Sequence, residues 1–92
     1  MSELRRTVTV VNQRGLHARA SAKFVNAVSE LPAGCDVRVA KGENEAAGGS
    51  ILGLMMLGAA KGDTIDIIVS GTGSEEAIAG LSAMVEDGFG EP

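Results

Sequence analysis

Two hydrophobic patterns alternate along this chain, and their order limits the folds open to it more than any other feature. Alternating apolar and polar residues predict half-buried strands. Apolar residues spaced three and four apart predict amphipathic helices. The expected order is βαββαβα, with strands over residues 6–11, 36–39, 45–47 and 64–69, and helices over 18–31, over 51–57 and from between 72 and 74 onward.

Each predicted helix has a single apolar stripe, so all three helices must cover the same face of one sheet. This indicates an α+β domain in which two longer helices and one short helix lie on one face of a four-stranded sheet. We expect the strand 64–69 to be central because Ile65, Ile67 and Val69 give it the clearest apolar face. The pattern does not determine the order of the strands.

Capping residues predict the ends of the later helices. Ser50 stands where an N-cap is expected, ahead of a short helix that stops at Gly58. Thr72 and Glu75 have the spacing of a capping box for the last helix. Residues 89–92 are expected to form a frayed tail.

Composition bounds the domain count and the class of partner. The 92 residues suffice for one domain, 1–92, and with two Phe and no Trp or Tyr its core must be aliphatic. A net charge of −4 and a lack of aromatic residues argue against nucleic-acid binding. The apolar stretch 51–60 is too short to span a membrane, so no membrane insertion is expected.

The single cysteine, Cys35, excludes an internal disulfide. The start of the chain lacks the apolar core of a signal peptide, so we expect the protein in the cytoplasm. A metal site would need several clustered ligands, whereas Cys35 and the only histidine, His17, lie far apart in sequence. The sequence indicates neither a metal nor a cofactor.

His17 is the strongest candidate for chemistry, because it stands where a strand-like run gives way to a helix-like run. A neutral imidazole is a nucleophile near neutral pH. The unpaired N–H groups and the positive dipole end of the helix would favour an anion at this position, with Arg19 as a cationic clamp. A lone histidine is more often an ordinary surface or capping residue. Here Gly15 permits a tight approach of the loop and Leu16 anchors it in the core, and these neighbours favour a functional site that suits a phosphoryl group.

The segment Gly15-Leu16-His17-Ala18-Arg19 resembles the active-site motif of the HPr family, the histidine-containing phosphocarriers of the phosphoenolpyruvate-dependent phosphotransferase system. The resemblance continues through residues 49–58, which look like the family's regulatory-serine helix, and covers nearly the whole chain. It implies the family's fold, an open-faced β-sandwich with an antiparallel sheet. One departure is Ala20, where the family usually has proline, and we expect it to give a looser first helical turn.

The resemblance implies a carrier rather than an enzyme. Nδ1 of His17 would accept a phosphoryl group from phosphorylated enzyme I and pass it to a histidine of an enzyme II A-type component. The backbone N–H groups of Ala18 and Arg19 and the Arg19 side chain would stabilise the phosphoryl charge. We expect the carrier to act as a monomer.

Two further surfaces are implied by the same resemblance. Ser50 corresponds to the serine that HPr kinase/phosphorylase modifies, although a serine before a short helix is often only an N-cap. A partner-docking patch would combine the first and second helices, with Leu54 as an additional candidate. Its expected members are Ala18, Ala22, Lys23, Ile51, Leu52 and Met55.

The alternative function is a non-catalytic regulatory module that keeps the fold and binds other proteins. Ala20 is the departure that motivates this alternative, whereas the presence of His17 and Arg19 favours the carrier. Within the carrier class, the sequence does not separate a sugar-uptake branch from a nitrogen-related branch.

Overall fold

The computed structural model describes residues 3–92, which form one α+β unit with the predicted order βαββαβα. Three helices and four strands are followed by a short 3₁₀ turn near the end of the chain. The elements are β1 Glu3–Thr9, α1 Ala18–Ser29, β2 Cys35–Lys41, β3 Asn44–Ala47, α2 Ile51–Met56, β4 Thr64–Gly71, α3 Ser74–Glu86 and the 3₁₀ turn Gly88–Gly90.

All neighbouring strands of the four-stranded sheet are antiparallel, in the order β1-β4-β2-β3. β4 is therefore a central strand, as its apolar face predicted. Val69 illustrates the register, because it pairs with Leu4 of β1 on one side and with Val37 of β2 on the other. The open edges are β1 and β3, and the polar β3 is only four residues long.

The core between sheet and helices is almost entirely aliphatic. Ile65 and Ile67 of β4 are at most 1% exposed and belong to one cluster with Leu54 of α2 and Val85 of α3. Phe24 of α1 and Phe89 are the two aromatic residues of this cluster. The core thus lies on one face of the sheet, as the single apolar stripe of each helix requires.

Several predicted boundaries were wrong by a few residues. β1 covers Glu3–Thr9 rather than 6–11, because its polar first residues still pair along β4, from Glu3 opposite Ser70 to Thr9 opposite Thr64. Arg5 also contacts a diagonal neighbour on β4, with Nη1 at 2.7 Å from Oδ2 of Asp66. α1 ends at Ser29, two residues before the predicted end at 31.

The predicted capping box of α3 was also wrong. The N-cap of α3 is Gly73, with a φ of 73°, and no side chain caps this helix. Thr72 lies one residue outside the cap, because a left-handed glycine occupies the position that the pattern assigned to an extended residue. Glu75 and Glu76 nevertheless lie in the first turn, where they favour the positive end of the helix dipole.

Residues 89–92 are not the frayed tail that the sequence predicted. Phe89 is 4% exposed and packs in the core cluster, although its φ of 58° lies in the left-handed region. The carbonyl of Pro92 accepts a hydrogen bond of 2.9 Å from the N–H of Gln13. We call residues 88–92 the C-terminal strap, and it lies against the loop that precedes α1.

Candidate functional site at the start of α1

The loop before α1 is held in place by backbone contacts that glycine makes possible. Gly15 has a φ of +63°, and a Cβ there would overlap the carbonyl oxygen of Ala59. The N–H of Leu16 donates to this carbonyl at 3.0 Å, and the Leu16 side chain is 5% exposed in the core. Asn12 donates from Nδ2 to the carbonyl of Gly15 at 2.9 Å. The residue that follows, His17, therefore starts from a fixed backbone.

His17 is the N-cap of α1, as its position in the sequence predicted. Its backbone is extended, with φ −73° and ψ 178°, and its Nδ1 accepts a hydrogen bond from the N–H of Arg19 at 3.2 Å. The His17 carbonyl accepts the N–H of Ser21 at 2.9 Å, which closes the first helical turn. Nδ1 consequently faces the positive end of the helix dipole.

The second ring nitrogen of His17 contacts the C-terminal strap. Nε2 lies 2.7 Å from Oε1 of Glu91, and the same oxygen accepts Asn12 Nδ2 at 3.0 Å. The hydrogen bond from His17, and secondly that from Asn12, lowers the pKa of the Glu91 carboxyl below its ordinary value of 4.5. Because an ionised carboxylate can only accept, Nε2 carries the proton in the neutral ring and Nδ1 carries the free lone pair.

The first turn of α1 offers further donors beside Nδ1. The N–H groups of Ala18 and Ala20 have no hydrogen-bond partner within residues 3–92. Ala20 is fully buried in a first turn that begins at Ala18, so alanine is compatible with the helix. The missing proline leaves an additional N–H at Ala20, but this donor is buried, because Ala20 is 0% exposed.

The Arg19 side chain is exposed and makes no hydrogen bond or ion pair in the described part of the chain. It lines a cleft of about 200 Å³ together with Arg14 and Glu91. Arg19 thus shares a cleft with Glu91, the residue that contacts the imidazole, and its role as a cationic clamp stays a prediction. Arg14, to which sequence reasoning gave no role, adds a second guanidinium on the same cleft.

An exposed apolar patch lies on α2, beside α1. Ile51, Leu52 and Met55 are 41%, 67% and 40% exposed, so these three predicted docking residues are accessible. Leu54 is 1% exposed and belongs to the core instead, because it points from the opposite side of the short helix. Met56, which sequence reasoning left out, is the most exposed large apolar residue within residues 3–92, at 77%.

The predicted members of the patch on α1 differ in accessibility. Ala18 is exposed, and Ala22 is half-buried. Lys23 is exposed, but its Nζ donates to the carbonyl of Phe89 at 2.7 Å. The C-terminal strap therefore also engages a predicted docking residue.

Ser50 is the N-cap of α2, as the sequence predicted. Its Oγ accepts the N–H of Gly53 at 2.9 Å, and the residue is half-buried. The hydroxyl thus has a structural role in the local backbone.

Sequence reasoning missed Glu91 as a member of the site. Glu91 is separated from His17 by 74 positions, so no local pattern could relate the two residues. The one available signal was Phe89, an apolar residue between glycines in an otherwise polar tail.

Within residues 3–92, no group of three or more His, Cys, Asp or Glu side chains is placed to hold a metal ion. No helix in this part of the molecule has the length and apolarity needed to cross a membrane.

Comparisons with known proteins agree with this fold and site. Residues 4–87 match the family model described as "PTS HPr component phosphorylation site". The chain is 40% identical over 88 residues to phosphocarrier protein HPr of Neisseria meningitidis serogroup A, covering 96% of this chain and 97% of that protein. It is 37% identical over 91 residues to phosphocarrier protein NPr of Shewanella violacea, covering 99% of this chain and 98% of that one.

A solved structure, HPr-C-His from Thermoanaerobacter tengcongensis, superposes with a TM-score of 0.87 at 35% identity, over 100% of this chain and 99% of that chain. Fold and comparisons together define a phosphoryl carrier, which the sequence predicted in preference to a non-catalytic module. The chain belongs to the HPr family of the phosphotransferase system.

Proposed function

We propose that Nδ1 of His17 accepts a phosphoryl group from phosphorylated enzyme I and passes it to a histidine of an enzyme II A-type component in the cytoplasm. The observation that carries this proposal is the placement of Nδ1, which lies at the N-terminus of α1 and accepts the backbone N–H of Arg19. The contact of Nε2 with Glu91 favours the tautomer in which Nδ1 bears the lone pair of the ring. Membership of the HPr family supports both classes of partner.

The present hydrogen bond to Nδ1 is compatible with transfer because it is weak. At 3.2 Å, the contact from the Arg19 N–H is at the long limit for an N–H···O or N–H···N bond. When Nδ1 bonds to phosphorus, it no longer accepts the hydrogen bond from Arg19. The N–H groups of Arg19 and Ala18 can then donate to phosphoryl oxygens. The Arg19 guanidinium on the adjoining cleft supplies positive charge.

The decisive test is intact-protein mass spectrometry after incubation with phosphoenolpyruvate and a cognate enzyme I. We expect one acid-labile phosphoryl group on the wild type and none on His17→Ala. Arg19→Ala should accept the group more slowly, because it loses the cationic side chain but keeps the backbone donor. An unmodified wild-type chain beside an enzyme I that phosphorylates itself would contradict the proposal.

We further propose that the exposed patch on α2, together with Ala18, Ala22 and Lys23 of α1, docks both donor and acceptor proteins. A methionine-containing surface can adapt its shape to unrelated partners. Leu52→Glu should raise the KM of enzyme I for this carrier. It should leave the free energy of unfolding unchanged, because Leu52 is 67% exposed. Ala79→Glu, an exposed change on α3, is the matched control and should leave KM unchanged.

Ser50 is the proposed regulatory site, as a substrate of HPr kinase/phosphorylase. Support comes from its place at the start of α2, next to the exposed Ile51 and Leu52. About two negative charges there would oppose docking while remaining compatible with the helix dipole. Incubation with that kinase and ATP should add one acid-stable phosphoryl group to the wild type and none to Ser50→Ala.

A further inference from the structure

We propose that Glu91 is a positioning residue for phosphoryl transfer: it holds the proton on Nε2 of His17, fixes the orientation of the ring, and so presents Nδ1 as the nucleophile. This inference rests on the proposed carrier function. It is carried by the 2.7 Å contact between Nε2 and Oε1 of Glu91. Both side chains are largely enclosed, at 14% and 17% exposure, so water competes poorly for this hydrogen bond.

The strap that carries Glu91 is fastened on both sides of this contact. Before it, the carbonyl of Phe89 accepts a hydrogen bond from Lys23, and after it, the carbonyl of Pro92 accepts one from Gln13. Asn12 donates to the carboxylate oxygen itself. Glu91 is thus held as a preorganised acceptor rather than as a freely moving surface side chain.

Three consecutive residues of the strap have a left-handed backbone, which turns the chain. Gly88, Phe89 and Gly90 have φ values of 67°, 58° and 74°. Such a conformation is unfavourable for phenylalanine and persists only where surrounding contacts determine it. Here the buried Phe89 ring and the contacts of Glu91 do so, and the result is a turn that directs the chain back to His17.

The transfer step is balanced without loss of a proton from His17. The Nδ1 lone pair forms the new bond to phosphorus, the bond from phosphorus to the donor atom of enzyme I breaks, and its electron pair stays with that atom. The proton on Nε2 remains, so the ring becomes a phosphorylated imidazolium whose positive charge faces Glu91. In the onward step the bonds exchange in reverse, and the ring leaves as neutral imidazole.

Glu91 therefore acts at both stages through the nitrogen that is not phosphorylated. Before transfer, the fixed Nε2–H tautomer places the lone pair of the neutral ring on Nδ1, and the carboxylate increases the electron density of the ring. After transfer, the carboxylate balances the charge of the imidazolium. The arrangement uses the same physical principle as a carboxylate that orients a catalytic histidine through its other nitrogen.

The test compares Glu91→Ala and Glu91→Gln with Glu43→Gln. Glu43 lies in the exposed β2–β3 turn and makes no hydrogen bond or ion pair in the described part of the chain. The first readout is the nitrogen-15 spectrum of the unphosphorylated His17 ring at about pH 8, where an ordinary imidazole is neutral. The second is the steady-state rate of phosphorylation by enzyme I, resolved into kcat and KM.

We expect a wild-type ring proton on Nε2 that exchanges slowly enough to be observed. Glu91→Ala should lose this signal and lower kcat by about tenfold, with KM within about twofold, because docking is unaffected. Glu91→Gln, whose amide oxygen still accepts a hydrogen bond, should regain the signal and part of the rate. Glu43→Gln should match the wild type in both readouts.

A wild-type proton on Nδ1, or an unchanged kcat in Glu91→Ala, would overturn the inference. A failure of the carrier proposal is distinguishable from this, because the wild type itself would then take no phosphoryl group from active enzyme I. In that event the nitrogen-15 spectrum of the ring alone tests the positioning role of Glu91. Loss of the Nε2 proton in Glu91→Ala would support the positioning role, and its persistence would refute it.

Discussion

Replacing Gly15 by alanine should be far more damaging than the same change at Gly58. Both glycines have left-handed backbones, with φ of +63° and +66°, and alanine in this conformation costs about 1–2 kcal/mol. Gly58 has no heavy atom within 4 Å of the added Cβ, so Gly58→Ala should cost only this amount. At Gly15 the Cβ would overlap the carbonyl oxygen of Ala59 and lie 2.9 Å from Cα of Ala60, and both are backbone atoms.

Relieving this overlap must separate the loop from Ala59 and break the hydrogen bond from the Leu16 N–H, 3.0 Å long. A buried backbone group left unpaired costs about 1–3 kcal/mol. Gly15→Ala should therefore lower the free energy of unfolding by about 3 kcal/mol in total. In a domain of this size, each kcal/mol lowers the midpoint of thermal unfolding by about 4–8 °C.

Urea titration of both variants, with thermal melts alongside, measures this difference directly. Because the loop leads into His17, Gly15→Ala should also accept phosphoryl groups more slowly at a temperature where it is folded, and Gly58→Ala should not. Equal destabilisation by the two substitutions would show that the backbone dihedral dominates and that the close approach to Ala59 is unimportant. That result would refute the argument for a fixed loop.

Three other changes test separate parts of the structure. Ser50→Ala should lower the free energy of unfolding by about 1 kcal/mol in a urea titration, since Oγ caps α2, whereas Thr72→Ala should change it by less than about 0.5 kcal/mol, since Thr72 caps nothing. Phe89→Ala should cost about 3 kcal/mol in the same assay and increase amide exchange along the strap, because it empties a buried ring position. The Thr7 hydroxyl, and secondly Arg5, lowers the pKa of Asp66 below its ordinary 3.8. The difference in stability between wild type and Asp66→Asn should be largest above pH 3.8 and shrink as the pH falls through the lowered pKa.

The fold was predictable because each element carries its own local pattern. The 3.6-residue period of α1 and the alternation of β4 are properties of contiguous sequence, and both elements were found where expected. Strand order depends on which edges pair, and such pairing is not encoded in the period of any one strand. The polar start of β1 joins the sheet because its backbone pairs with β4, where Arg5 lies opposite Ile68.

The residues of the site that are close in sequence could be predicted, whereas the residue that is distant in sequence could not. Gly15, His17 and Arg19 lie within five consecutive positions, so their relation to a helix N-terminus could be inferred directly. Glu91 reaches the same imidazole only through the turn at Phe89, whose left-handed conformation runs against the preference of its residue type. Local propensity therefore predicted a frayed end where tertiary contacts determine an ordered one.

The arrangement around His17 suits a group that must both arrive and leave. A closed pocket of donors around Nδ1 would stabilise the phosphorylated state and slow onward transfer. Instead, the Nδ1 side offers one long hydrogen bond and the unpaired N–H of the exposed Ala18, while the shorter contact, at 2.7 Å, is made to the opposite nitrogen. The carboxylate can therefore hold the ring in place in both states without touching the phosphoryl group. The contact at Nε2 thus orients the ring, and the donors near Nδ1 set the affinity for the phosphoryl group. The ring can therefore be held in place without tighter binding of the phosphoryl group.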